Sequence, residues 1–234
     1  MNRAFAWLVH LYTALGAVAA FFAATAVLDR RYRDSFLLML VATVIDSTDG
    51  LLARKARVGV VVPQFDGARL DDIVDYLTFV FVPLLLLHHS GRLPTGWGAL
   101  VASAALVSSA YGFGSLDAKT SDHFFTGFPS YWNIAALYLF AAGLSPVANG
   151  VILLVLSAFV FVRTGYIYPS KTPVLRRVTI ALGVVWGAMI AAIILSLPDV
   201  NPDLLRVSLF YPLYYSILSF VLDRRRARSA RTTA

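Results

Sequence analysis

Four aspartates carry the candidate chemistry of this chain. Asp46 and Asp49 stand three residues apart, and Asp71 and Asp75 stand four apart. On a helix each spacing puts both carboxylates of a pair on one face, and Asp72 is rotated off it. Each pair abuts a long apolar run, residues 36–45 before the first and 76–87 after the second. A carboxylate at membrane depth costs roughly 2.5–3.5 kcal/mol on insertion scales unless something compensates it. If the two helices lie antiparallel, the faces meet at one membrane edge. Four oxygen donors there suit hard divalent cations, Mg²⁺ or Mn²⁺. Two ions bridged by shared carboxylates suit phosphoryl transfer, in which metals neutralise the phosphate and align the entering and leaving oxygens. Gly50 removes a side chain beside the acids, so a ligand can approach closely. Arg54 is placed to pair with a phosphate. For any single aspartate, pairing with Arg54, Lys55, Arg57 or Arg69 is the simpler reading. Four at helical spacing on two adjacent helices favour a shared cation site.

Membrane helices must hold these acids. The 234 residues are 59% hydrophobic and only 14% charged, and the mean hydropathy is +0.72. That is too apolar for a soluble domain. A bilayer-spanning helix needs about 20 mostly apolar residues. Eight runs qualify: 5–28, 36–53, 70–88, 97–114, 131–144, 151–168, 178–197 and 204–222. The fifth is short and is expected to tilt or re-enter. The runs are continuously apolar rather than alternating, which excludes a β-barrel and predicts an all-α polytopic membrane protein. Short loops leave a single membrane domain over residues 1–234, with a basic, disordered tail at 223–234. The first run is too long for a cleavable signal. The absence of cysteine excludes disulfides and thiol catalysis.

Eight spans put both termini on one side, and Lys and Arg decide which. The side of the termini collects Arg3, Arg54, Lys55, Arg57, Arg69, Lys119, Arg163, Lys171, Arg176, Arg177 and the tail arginines from Arg224 onward. The other side holds Arg30, Arg31, Arg33, Arg92 and Arg206. The bias makes the termini and both acidic clusters cytoplasmic. The loop at 29–34 runs against the rule, with its arginines offset by Asp29 and Asp34. His88 and His89 fall on the opposite side from the acids, away from any metal role. The net charge of +7 reads as membrane-facing rather than nucleic-acid binding.

In full the acidic pattern reads D-x-x-D-G-x-x-A-R, a spacer, then G-x-x-x-D-x-x-x-D, with Asp46, Asp49, Gly50, Ala53, Arg54, Gly67, Asp71 and Asp75 at the named positions. It resembles the signature of the CDP-alcohol phosphatidyltransferases at all eight positions. The spacer, twelve residues from 55 to 66, is longer than the family's usual one. The resemblance implies the family's membrane fold and the displacement of CMP from a CDP-linked donor by an alcohol, with Mn²⁺ or Mg²⁺, two ions being expected. It implies that Asp46, Asp49, Asp71 and Asp75 ligate metal and that Asp75 also acts as general base. It further implies that Asp49, Gly50, Ala53, Arg54 and Gly67 bind the nucleotide, and that the protein is a homodimer.

The signature does not choose the acceptor alcohol. Residues 74–83 and 123–133 resemble the bacterial phosphatidylcholine synthases, a branch of that family with similar length and eight spans. This likeness implies CDP-diacylglycerol and choline as substrates, in the bacterial inner membrane. A quaternary ammonium has no hydrogen-bond donor and is held in aromatic cages by cation–π attraction. The connection before the fifth run carries Phe124, Phe125, Phe128, Tyr131 and Trp132, with Asp117 and Asp122 near in sequence. The candidate acceptor residues are Tyr131, Trp132, Phe124 and Phe125. An interfacial aromatic belt is the alternative reading of the same residues. Arg163, late in the sixth run, is a candidate for the donor's phosphates or lipid, or an arginine that snorkels to the interface. Two rival functions remain at this stage. One is transfer to serine, inositol or glycerol 3-phosphate. The other is divalent-cation transport through the same acids.

Overall fold

The computed structural model describes residues 3–118, 120, 124–169 and 171–232. Lys119, Asp122 and His123 lie outside the described residues. Helix α1 (Arg3–Leu28) and helix α2 (Tyr32–Ala56) form an antiparallel hairpin. The turn between them puts Arg30 at φ 59°. Arg31 there bridges Asp29 at 3.1 Å and Asp34 at 2.9 Å, so the two aspartates offset it as the charge pattern implied. A short helix α3 (Val58–Val61) follows.

The third apolar run is one continuous helical rod. It consists of α4 (Gly67–Asp75), a π-helical segment (Tyr76–Phe81) and α5 (Val82–His89). The junction residues Tyr76 and Val82 keep right-handed helical angles. In the π segment the Val82 N–H reaches back five residues to the Leu77 carbonyl. The next residue, Pro83, has no N–H to donate, and its ring would crowd the carbonyl one turn back. A widened turn before it accommodates the proline without breaking the rod.

Helices α6 (Gly98–Gly114), α7 (Trp132–Ala141), α8 (Pro146–Val160) and α9 (Arg176–Leu195) account for the next four runs. Helices α10 (Pro202–Ser208) and α11 (Phe210–Thr232) join through a helical Leu209 and complete the set. Among the described residues, four helical stretches are individually long and apolar enough to cross a membrane: α1, α2, α9 and residues Pro202–Ala227. Helix α7 has ten residues, about 15 Å of rise, well short of a bilayer core. Large apolar side chains point outward, among them Leu8, Phe21, Val44, Leu100, Val107, Val184 and Ile217. In a bilayer these face lipid. The chain is a multi-pass, all-α membrane protein.

Two expectations change. The sixth run is not helical to residue 168: α8 ends at Val160 and the chain turns into a strand, β2 (Gly165–Ile167). It pairs antiparallel with β1 (Phe124–Thr126), Phe124 opposite Ile167 and Thr126 opposite Gly165. Gly165 permits this path, because a Cβ there would meet the Asp223 carboxylate at 2.5 Å. Arg163 therefore sits in an exposed connection rather than in a span, with Asp117 at 3.6 Å. The basic tail, expected to be disordered, is the continuation of α11 to Thr232. Arg and Ala are good helix formers, and Arg226 lies over the Phe124 ring at 5.3 Å, tying the tail to the strand pair.

The main core is built from α1, α2, α5, α6, α7 and α9 around fully buried Phe36, Leu86, Leu87, Trp132, Leu137 and Ile193. A second cluster joins Phe124, Tyr166, Ile167, Tyr215 and Leu222, seating the strand pair on α11.

Candidate active site

Three of the four aspartates meet. Carboxylate oxygens of Asp46, Asp49 and Asp71 all lie within 4.8 Å of one another. Asp75 is one turn further along the same helical rod as Asp71 and is not one of these three. Asp49 is buried, while Asp46 and Asp71 are half-buried. Placing carboxylates this close is unfavourable without a cation to bind them.

Helix α1 holds the set together, a role absent from the motif itself. Thr13 donates to Asp49 Oδ2 at 2.8 Å, and Tyr12 and Thr48 share a 2.8 Å hydrogen bond one residue away. These contacts fix α2. The same helix fixes α4 by close approach. A Cβ on Gly16 would run into Val74 Cγ1, and a Cβ on Gly67 would come 2.7 Å from His10 Cε1. His10 is buried between Trp7 and Phe65, with ring centroids 5.8 and 4.6 Å away. Sequence reading missed His10, Tyr12, Thr13 and Gly16. The available signal was polar and small residues at helical spacing inside an apolar span, which face protein rather than lipid.

The nucleotide candidates form a lane leading from the acids. Asp46, Gly50 and Ala53 fall on one stripe of α2. Gly50 and Ala53 add little side chain to that stripe, and Arg54 Nη1 lies 3.3 Å from where a Gly50 Cβ would stand. Arg54 and Lys55 lie in the last turn of α2, where their charge suits the helix C-terminus. Arg54 is exposed. Gly67 opens α4, whose N-terminus is capped by Asp66 accepting from the Arg69 N–H at 3.0 Å. The lengthened spacer at 55–66 contains α3 and delivers Phe65 onto His10. Gly67 thus has a packing reason as well as its expected nucleotide role.

No protein-family model matches the chain. It is 37% identical over 206 residues to phosphatidylcholine synthase of Legionella bozemanae, covering 85% of this chain and 95% of that protein. It is 36% identical over 228 residues to phosphatidylcholine synthase of Legionella pneumophila, covering 94% and 89%. It is 35% identical over 205 residues to that of Pseudomonas aeruginosa, covering 88% and 86%. The chain belongs to the phosphatidylcholine synthase family.

Within this phosphatidylcholine synthase fold the four candidate acceptor residues part company. Trp132 is fully buried, and its Nε1 donates to Ser109 Oγ at 2.6 Å. Phe128 packs edge-on against it at 5.1 Å, so Trp132 is a core residue. Phe124 is buried in the strand-pair cluster. Phe125 stacks on Tyr168 at 4.9 Å and 28°. Tyr131, half-buried at the start of α7, lies within electrostatic reach of the Asp46 carboxylate. Tyr131 meets Tyr215 at 6.1 Å, edge to face, and like Phe125 is not a buried member of either core cluster. Arg163, exposed and facing Asp117, shows no contact with the acidic set among the described residues.

Proposed function

We propose that the protein transfers the phosphatidyl group of CDP-diacylglycerol to choline, forming phosphatidylcholine and releasing CMP. The observation that carries this reading is the set of three carboxylates within 4.8 Å on a phosphatidylcholine synthase scaffold. The site faces the cytoplasm of the bacterial inner membrane in this reading, supported by the charge bias and by bacterial relatives. A homodimer, implied by the family resemblance, is part of the same reading.

The donor set is all oxygen and anionic, which fits Mn²⁺ or Mg²⁺. Asp46, Asp49 and Asp71, with Asp75 from the next turn, would hold the ions, two in number by the resemblance. Bound there, such ions supply charge neutralisation at the phosphate and acidify a nearby hydroxyl. The chain's own residues do the rest. Asp75 takes the proton of the choline hydroxyl. The choline oxygen bonds to the phosphorus that carries diacylglycerol, the P–O bond to CMP breaks, and CMP leaves with the electron pair. The side-chain-poor lane of Gly50 and Ala53 admits the nucleotide, Arg54 supplies positive charge to its phosphates, and Gly67 borders it. Thr13 keeps the buried Asp49 carboxylate oriented.

The test is purified protein with CDP-diacylglycerol and Mn²⁺, offered choline, serine, inositol or glycerol 3-phosphate in turn. CMP release with choline alone is expected. Release with another alcohol in preference to choline would reassign the acceptor. No release with any of them would defeat the reading. The Asp75→Asn protein is expected to lose most turnover, and undiminished turnover would remove Asp75 as the base.

A further inference from the structure

Tyrosines from three separate parts of the chain gather around Tyr215, and one of them, Tyr131, lies within electrostatic reach of Asp46. Tyr131 caps the start of α7, Tyr168 follows β2, and Tyr211 and Tyr215 open α11. Tyr131 and Tyr215 meet at 6.1 Å, edge to face. Tyr215 donates to the Ile167 carbonyl at 3.0 Å and is buried, so it anchors the group. Tyr168 is backed by Phe125, and Tyr211 is backed by Trp186, stacked at 5.0 Å and 25°. Each backing ring fixes one face of its tyrosine. Tyr131, Tyr168 and Tyr211 are half-buried. The hydroxyls of Tyr168 and Tyr211, like the Asp46 carboxylate, lie within electrostatic reach of Tyr131.

One cation already uses this surface. Lys171 Nζ stands 4.5 Å from the centroid of the Tyr168 ring. An ammonium is strongly hydrated and gives up water reluctantly. A quaternary ammonium has no N–H to keep solvated, and ring faces plus a nearby carboxylate field are the attractions open to it. We propose that the trimethylammonium group of the acceptor is held against Tyr131, Tyr168 and Tyr211, displacing the Lys171 ammonium from the Tyr168 face. The inference rests on choline being the acceptor and names the residues that recognise it. Trp132 and Phe124 take no part, being committed to the two cores.

Choline binding to the purified full-length protein, measured by equilibrium dialysis, tests this without turnover. Replacing Tyr168 or Tyr211 by Leu is expected to weaken choline binding roughly 3- to 30-fold per ring, the range of one cation–π contact. The Phe variants keep a ring and are expected to bind close to wild type. Lys171→Gln, at an exposed position, is expected to tighten choline binding. Tetramethylammonium is expected to compete with choline in the wild type and less well in the Leu variants. Leu variants that bind choline like wild type, Phe variants as impaired as their Leu counterparts, or a Lys171→Gln protein with weakened choline binding would each overturn the cage. Wild type that binds choline yet releases no CMP would instead overturn the transfer reaction and leave the cage standing.

Discussion

Replacing Thr13 by Val should weaken metal binding from a helix that carries none of the motif. Thr13 Oγ1 lies 2.8 Å from Asp49 Oδ2 and 3.4 Å from the Val9 carbonyl, so its single proton belongs to the carboxylate. Both residues are buried. Val keeps the shape of Thr and removes the donor. A hydrogen bond to a charged group contributes about 1.5–3 kcal/mol, which is roughly 10- to 150-fold in an equilibrium constant. Loss of an orienting partner behind a metal ligand falls in the same range, roughly 10- to 100-fold. The assay is CMP release titrated with Mn²⁺. The activation curve should shift to higher metal by that factor, and Thr13→Ser should restore it. A Thr13→Val protein with an unshifted curve would refute the claim that α1 orients the site.

Three further outcomes follow from other contacts. Gly67→Ala puts a methyl 2.7 Å from His10 Cε1; overpacking of about 1–3 kcal/mol should lower the melting temperature, and His10→Ala in the same chain should recover much of it. Trp132→Phe removes the 2.6 Å donor to Ser109, so thermal stability should fall while choline affinity holds; a selective loss of choline affinity would return Trp132 to the acceptor site. Arg163→Ala should change activity and stability little, because the pair with Asp117 is exposed and such pairs contribute at most about 1 kcal/mol; a large rise in the KM for CDP-diacylglycerol would restore Arg163 as a donor contact.

The acids and the helices around them were legible in the sequence because both are periodic. Asp46 and Asp49, and Asp71 and Asp75, declare a helical face by spacing, and apolar runs of span length declare the membrane. The boundary of α8 was hidden because residues 151–168 are apolar on both sides of a short break, and only Arg163, Thr164 and Gly165 mark where the chain becomes a strand. The clasp from α1 was hidden for a different reason. Thr13 and His10 gain meaning only from α2 and α4 packed across them, and no local pattern encodes that. The aromatic segment shows the limit from the other side. Trp132 and Tyr131 are adjacent and chemically alike, yet one fills the core and the other stays half-buried against Tyr215. Burial, not residue type, separates them.

The central claim is most directly tested by following labelled choline into lipid while measuring CMP, using purified protein in bilayer vesicles with CDP-diacylglycerol. One phosphatidylcholine should form per CMP released, both should stop when a chelator removes divalent metal, and both should return with Mn²⁺. Asp46→Asn and Asp71→Asn should each abolish the two signals together. Phosphatidylcholine and CMP formed at full rate in the presence of chelator, or by either Asn variant, would contradict the site described here.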